Sequence, residues 1–414
     1  MGADRTGGSS ARYAARPIAL ISLVVALSLL GDSTLYAVLP AQYDAFGLPV
    51  TAVGLLLSIN RYIRLLTNPL AGRLCDRLGV RGPFLGAVAL GAGTTLSYGL
   101  LPILPALVVA RMLWGTSWSL LRLGAYLTVL RYSGATHLGR GMGAFNAISR
   151  LGSLAGMLAG GILADAFGAR PTLVLFGALS ALGFLLAWPL RLDTVHAPHK
   201  PAAVGDPPAR AWRRFIHGDE GGRQGLRVAA VHVAALWVGL AAGMVISTIG
   251  LLLRVQFGER IEVLGLLVGV ASLTGIVLAS RWVVELVVAP ASGALADRFG
   301  RPRAGLFFTA VSIVGMTLLG TSLDLGLVLA GAALAFVGGS ALVPIMEATA
   351  GDLAADGKRA AAMSRYATWW DLDSASGPAL GYALLGGLGF AATYGLAALG
   401  LAAVMCAFAW TFAA

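Results

Sequence analysis

Acidic and basic side chains recur inside stretches of this sequence that are otherwise apolar, and their types and spacing point to proton and anion chemistry. Asp32 sits in Gly31-Asp32-Ser33-Thr34-Leu35-Tyr36. Removal from water disfavours a charged carboxyl, and a nearby guanidinium favours it. A carboxyl held between those influences can load and release a proton, so Asp32 is the first candidate for proton coupling. A fixed ion pair with an arginine such as Arg111 or Arg122 is the competing reading. Glu347 and Asp371 are further candidates for the proton role. Arg61 and Arg64, three residues apart, share one helical face, with the amide of Asn60 beside them. Arg122 and Arg150 add two more guanidinium forks, a shape that matches carboxylate and phosphate. The spans of the first half thus offer positive charge that their one acid, Asp32, does not balance, unless acids of the second half pair with it. Arg281 and Glu285, four apart, can pair with each other or face a ligand. Asp371 and Asp373 are two apart and point about 200° away from each other on a helix. Tyr36, Trp118 and Trp370 are candidate apolar walls.

The elements that must position these groups are membrane spans. Hydrophobic residues make up 57% of the chain and charged residues 12%, about half the charged share of a soluble domain. Twelve apolar segments of about 20 residues can be drawn, each long enough for a bilayer core of roughly 30 Å. Among them are 262–288 for span 8, 360–385 for span 11 and 390–412 for span 12. An ionisable residue at a span centre costs about 2.5–3.5 kcal/mol, so these charges must line a wet cavity or pair. Arg111 and Arg365 lie nearer span ends, from where they could snorkel to the interface. The net charge of +11 does not call for nucleic acid. The outer loops hold Arg170, Arg254 and Arg260 and most other Lys and Arg fall on the opposite side, an asymmetry that places both termini in the cytoplasm. The expected organisation is a cytoplasmic segment 1–16, a six-span bundle 17–190, a linker 191–227 and a second six-span bundle 228–412. The linker carries Trp212-Arg213-Arg214-Phe215, suited to rest on an anionic leaflet. Cys75, read as lying in a cytoplasmic turn, and Cys406 suggest neither disulfide nor metal site. His232 stands alone in span 7, and no cofactor motif or nucleophile–base set is apparent.

The chain repeats itself. Residues 58–81 align without a gap on 279–302, at an offset of 221, so that Pro69 meets Pro290, Gly72 meets Gly293, Asp76 meets Asp297 and Arg77 meets Arg298. Gly156 and Gly160 meet Gly377 and Gly381 at the same offset. A duplicated membrane bundle with matching turns is the architecture of a transporter that rocks between two open states. The segment Gly72-Arg73-Leu74-Cys75-Asp76-Arg77-Leu78-Gly79 and its counterpart Gly293-Ala294-Leu295-Ala296-Asp297-Arg298-Phe299-Gly300 resemble the signature between spans 2 and 3 of the major facilitator superfamily. Arg111-Met112-Leu113-Trp114-Gly115 is similar to its span 4 motif, with Trp114 where Gln is usual. The span 5 glycine run resembles the motif of its antiport-type exporters, with Met157 where Pro is usual. The resemblance implies an all-α membrane protein with twelve transmembrane helices in two pseudo-symmetric six-helix bundles. It also implies that Gly72, Asp76, Arg77, Gly293, Asp297 and Arg298 form a cytoplasmic latch of the outward-open state, with close helix contact at the glycines. An acid in span 1, here Asp32, would serve coupling.

The expected function is a proton-coupled secondary transporter, an exporter of a small amphiphilic molecule with an anionic or zwitterionic group. Substrate-binding candidates are Tyr36, Asn60, Arg61, Arg64, Trp118, Arg122, Arg150, Arg281, Glu285, Trp370 and Asp373. Expected partners are the small-molecule substrate, protons and the lipid bilayer of the inner membrane, with the chain a monomer that binds no nucleic acid. A proton-symport importer of an organic acid fits the same residues. A transporter-like membrane receptor is the alternative of another class.

Overall fold

The structure is a computed structural model that describes residues 7–133, 137–190, 192, 222–354 and 359–413. The expected linker motif Trp212-Arg213-Arg214-Phe215 and most of segment 1–16 lie outside the described residues or their described side chains. Among the described residues are eleven α-helices: α1 (Gly7–Val38), α2 (Val50–Leu78), α3 (Arg81–Leu100), α4 (Leu104–Ser133), α5 (Leu138–Phe167), α6 (Ala169–Ala187), α7 (Gly222–Phe257), α8 (Val270–Phe299), α9 (Arg301–Thr321), α10 (Leu325–Leu353) and α11 (Arg359–Ala413). The last is two helices joined at Gly389, whose φ of 74° breaks the rod. Ten of these helices are long and apolar enough to cross a membrane.

Many hydroxyls inside the helices are satisfied locally. The hydroxyls of Ser22, Ser28 and Thr34 donate to the carbonyls of Ile18, Val24 and Leu30 one turn back, at 2.6, 3.0 and 2.8 Å, so they add no unmet hydrogen-bonding demand to a buried helix. Small residues then set the helix pairs, because in lipid association rests on close packing rather than on removal of apolar surface from water. Gly152, Gly156 and Gly160 recur every fourth residue along one face of α5. They abut Ala26, Leu30 and Thr34, which recur at the same interval on α1. A Cβ at any of the three would collide with the facing helix, and the Thr34 hydroxyl also donates to the Gly156 carbonyl at 2.8 Å. Further core is supplied by Phe84 of α3, which packs over Gly124 of α4, among Val25, Val88, Leu121 and Phe145.

By contacts the described chain forms two compact units. One gathers the described residues within Met1–Pro49, Tyr62–Pro198 and Arg260–Ile276. The other gathers those within Val50–Arg61, His199–Glu259 and Val277–Ala414. The first turns of α2 therefore belong with α11, and the first turns of α8 with α5. Glycine makes both crossings. A Cβ on Gly54 would come within 2.6 Å of the Tyr382 Cβ and 3.0 Å of the Pro378 carbonyl, and a Cβ on Gly275 would strike the Met157 carbonyl. Gly54 and Gly275 are related by the repeat offset of 221, and so are Met157 and Pro378.

Two expectations need correction. Residues 262–269 do not open span 8. Arg260–Val263 and Leu266–Gly269 form an antiparallel hairpin in which Val263 pairs with Leu266. Leu264 and Gly265 have φ of 52° and 80°, the two positive values that a tight hairpin turn needs. Cys75 lies not in a turn but buried in the last helical turns of α2, because the charged signature stays helical until Gly79, with φ of 72°.

Candidate functional site

In the first unit the Asp32 carboxylate of α1 accepts a charge-assisted hydrogen bond from the Arg111 guanidinium of α4. Arg111 is 1% exposed and Asp32 16%. Arg111 thus does not snorkel, as its place near the span end had suggested. Its guanidinium is drawn inward by Asp32 and lies 6.0 Å from the Tyr98 ring centroid. Tyr36 is buried nearby on α1. The sequence left open whether Asp32 meets Arg111 or Arg122, and the structure pairs it with Arg111. Arg122, three turns further along α4, is partly buried and makes no hydrogen bond or ion pair among the described residues. Trp118 and Arg64 are also partly buried, and Arg150 is exposed.

The second unit holds the other cluster. Arg61 belongs here and not with the remaining arginines of the first half. Its Nη1 donates to the main-chain carbonyl of Ser374 on α11 at 2.7 Å. Asn60, beside it, is 5% exposed. Asp371 and Asp373 are both buried, Asp373 at 0% exposure. Neither carboxylate oxygen of Asp373 has a hydrogen-bond partner. His232 does not stand alone: it stacks on Trp369 with 5.7 Å between ring centroids. Arg281 and Glu285 approach within 3.9 Å on α8, and the Arg281 guanidinium lies 4.2 Å from the Trp282 ring centroid. Trp370 is partly buried and Glu347 is exposed.

The sequence pattern of the Major Facilitator Superfamily matches residues 21–285 and 271–414. The chain belongs to the major facilitator superfamily. Relatives include proteins named multidrug resistance protein MdtG. That of Enterobacter lignolyticus is 25% identical over 354 residues, covering 82% of this chain and 78% of its own. That of Escherichia coli is 25% identical over 355 residues, covering 82% and 79%. Solved structures share the fold. A peptide transporter in complex with sulfate has a TM-score of 0.75 at 14% identity, covering 95% of this chain and 93% of its own. The nucleoside transporter NupG has a TM-score of 0.74 at 12% identity, covering 96% and 99%. The chain is therefore a multi-pass membrane transport protein and not an enzyme.

In this major facilitator chain the signature turns are only partly engaged. A Cβ on Gly72 or Gly293 would meet nothing within 4 Å, so the close helix contact expected at the two glycines is absent. Arg77, Asp297 and Arg298 are exposed and Asp76 is partly buried. A third copy of the signature, missed at the sequence level, is engaged. Gly161-Ile162-Leu163-Ala164-Asp165-Ala166-Phe167-Gly168 repeats six of the eight residues of Gly293–Gly300. Like the other two copies, it lies at the C-terminal end of its helix. Here Gly161 presses on the Ala271 carbonyl of α8. The Asp165 carboxylate accepts from the Ser272 N–H and Oγ, each at 2.6 Å, and from Gln42 Nε2 at 2.9 Å. The Ala271 N–H approaches it at 3.4 Å. A carboxylate on the first amides of a helix satisfies donors that no backbone carbonyl reaches and opposes the positive end of the helix dipole.

Proposed function

We propose that this chain is a proton-coupled secondary transporter that exports small amphiphilic molecules carrying an anionic or zwitterionic group by alternating access. The observation that carries the substrate reading is Arg122. It is a partly buried guanidinium on α4 without an ion-pair or hydrogen-bond partner among the described residues, where Arg111 of the same helix is neutralised by Asp32. A partly buried arginine without a fixed anion favours an anion that comes and goes. Arg64 and Arg150 of the same unit add to the positive potential. The direction rests on the relatives: proteins named for multidrug resistance span most of this chain, and resistance by a transporter requires outward movement. Acids of the spans would carry the coupling proton, with the inner membrane as the site of action and both termini in the cytoplasm.

Purified protein in proteoliposomes, with proton movement recorded by a pH-sensitive dye as anionic, zwitterionic and cationic amphiphiles are added in turn, tests the reading. Anions or zwitterions are expected to trigger proton flux in the wild type, and Arg122→Ala is expected to abolish that response. A response confined to cations, or one to anions unchanged in Arg122→Ala, would overturn the substrate assignment.

A further inference from the structure

Asp373 occupies a packing position. In the first half, Gly152, Gly156 and Gly160 of α5 form the seam against α1. The repeat offset carries these positions to Asp373, Gly377 and Gly381 of α11, which face α7. Gly377 keeps the seam tight: its Cβ would lie 2.8 Å from the Gly243 Cα. At the next position along, a carboxyl stands where the first half has glycine, and the facing helix gives way to it. A Cβ on Gly239 would fall on the Asp373 carboxylate. The chain thus makes room, residue for residue, for an acid in the middle of a small-residue interface.

That acid earns no structural return. It is 0% exposed and neither oxygen has a well-formed hydrogen bond; the one donor acting on it is the N–H of the adjacent Ser374. An ion in that setting is strongly disfavoured unless paired, whereas a neutral carboxylic acid is tolerated. The charged groups acting on it are Arg61 of α2 and Asp371 of its own helix. The Arg61 guanidinium donates not to the carboxylate but to the carbonyl of the adjacent Ser374. From α7 the facing residue is the uncharged Gly239, and His232 lies two turns away on Trp369. Two turns along α11, Tyr366 is 3% exposed, and the carboxyls within electrostatic reach of its hydroxyl are Asp373 and the exposed Glu347 of α10.

We propose that Asp373 is the proton-binding carboxyl of this transporter, neutral in the state described, and that Arg61 exchanges the Ser374 carbonyl for the Asp373 carboxylate when the proton leaves. The O–H bond of the acid breaks, the proton passes to water on the side of Glu347, and the new anion is matched by a cation already one residue away. Loading and unloading then alter how the first turns of α2 are held on α11. This assignment rests on the proton-coupled reading above and names the group that carries the proton.

Infrared difference spectroscopy of the full chain in lipid nanodiscs, titrated with pH in H2O and D2O, tests it without any substrate. The wild type is expected to show the C=O band of a protonated carboxylic acid with the deuterium shift of an exchangeable proton. Asp373→Asn, nearly isosteric, is expected to lose that band, and Asp32→Asn to keep it. Arg61→Gln is expected to hold the band to higher pH, because the ionised form loses its cation. A full-strength band in Asp373→Asn would overturn the assignment, and an unmoved titration in Arg61→Gln would overturn the partner exchange. Failure of the proton-coupled reading looks different: wild-type vesicles would move substrate without moving protons, while the infrared band would still decide where the proton sits.

Discussion

Removing the carboxylate of Asp165 should release the end of α5 from the start of α8. Asp165→Ala deletes two 2.6 Å bonds to Ser272 and one of 2.9 Å to Gln42. Hydrogen bonds to a charged group contribute about 1.5–3 kcal/mol each, and loss of a helix cap alone costs about 0.5–2 kcal/mol. Asp165 is partly buried, so water replaces some of what is lost and the terms do not add in full. A net penalty of about 2–4 kcal/mol is reasonable, which shifts the balance away from the tied arrangement by about 30- to 900-fold. Spin labels at Phe167 and Leu264, both exposed, in a chain whose Cys75 and Cys406 are replaced by Ser, would report the separation of the two ends by pulsed electron resonance. The wild type should show a dominant short distance and Asp165→Ala a new, longer population. Asp165→Asn, which keeps an acceptor but loses the charge, should fall between them. An unchanged distance distribution in a folded Asp165→Ala protein would refute the reasoning, because it would mean that the tie contributes too little to bias the equilibrium.

Further outcomes follow from the packing and the charges. Asp32→Asn leaves Arg111 buried without its anion and should lower stability by about 3–5 kcal/mol, read as a fall in melting temperature in detergent, with Asp32→Asn/Arg111→Gln recovering part of the loss. Gly156→Leu should prevent assembly of the α1–α5 pair and abolish a monodisperse peak on size exclusion. Gly72→Ala, at a position open around its Cβ, should leave melting unchanged to within about 0.5 kcal/mol. Leu264→Gly removes the penalty of a branched side chain at φ of 52° and should slow amide exchange in the hairpin, with a gain of about 1 kcal/mol; faster exchange would contradict the turn geometry.

Hydropathy shows most of the helices because each span is a long apolar run, and the 221-residue offset shows the duplication down to the glycine crossings at Gly54 and Gly275. It does not show the hairpin. Ile261, Val263, Leu264, Leu266 and Leu267 form a short apolar run that suits a strand or a helix equally, and a Leu-Gly turn lacks the usual Asn-Gly signature. The third signature copy escapes a search at the repeat offset because it recurs 132 residues before Gly293–Gly300 and not 221. Pairing is the least legible level. Asp32 and Arg111 are 79 residues apart, and only the packing of α1 beside α4 shows which arginine reaches the acid. Asp373 reads in the sequence as one of several intramembrane acids, whereas its place in a glycine seam emerges once Gly239 is seen against it.

The three signature turns have a consequence for how such a chain can change over generations. They close α2, α5 and α8 and share no residue with α4 or with the Asp373 seam, so a substitution there can change how a helix end is held without changing the residues proposed to meet substrate or proton. The engaged copy at Asp165 has Ala166 where the other two have Arg77 and Arg298, and one codon can strengthen or weaken any of them. On the proposed transport reading, the rate of the cycle and the choice of substrate can therefore change through separate substitutions.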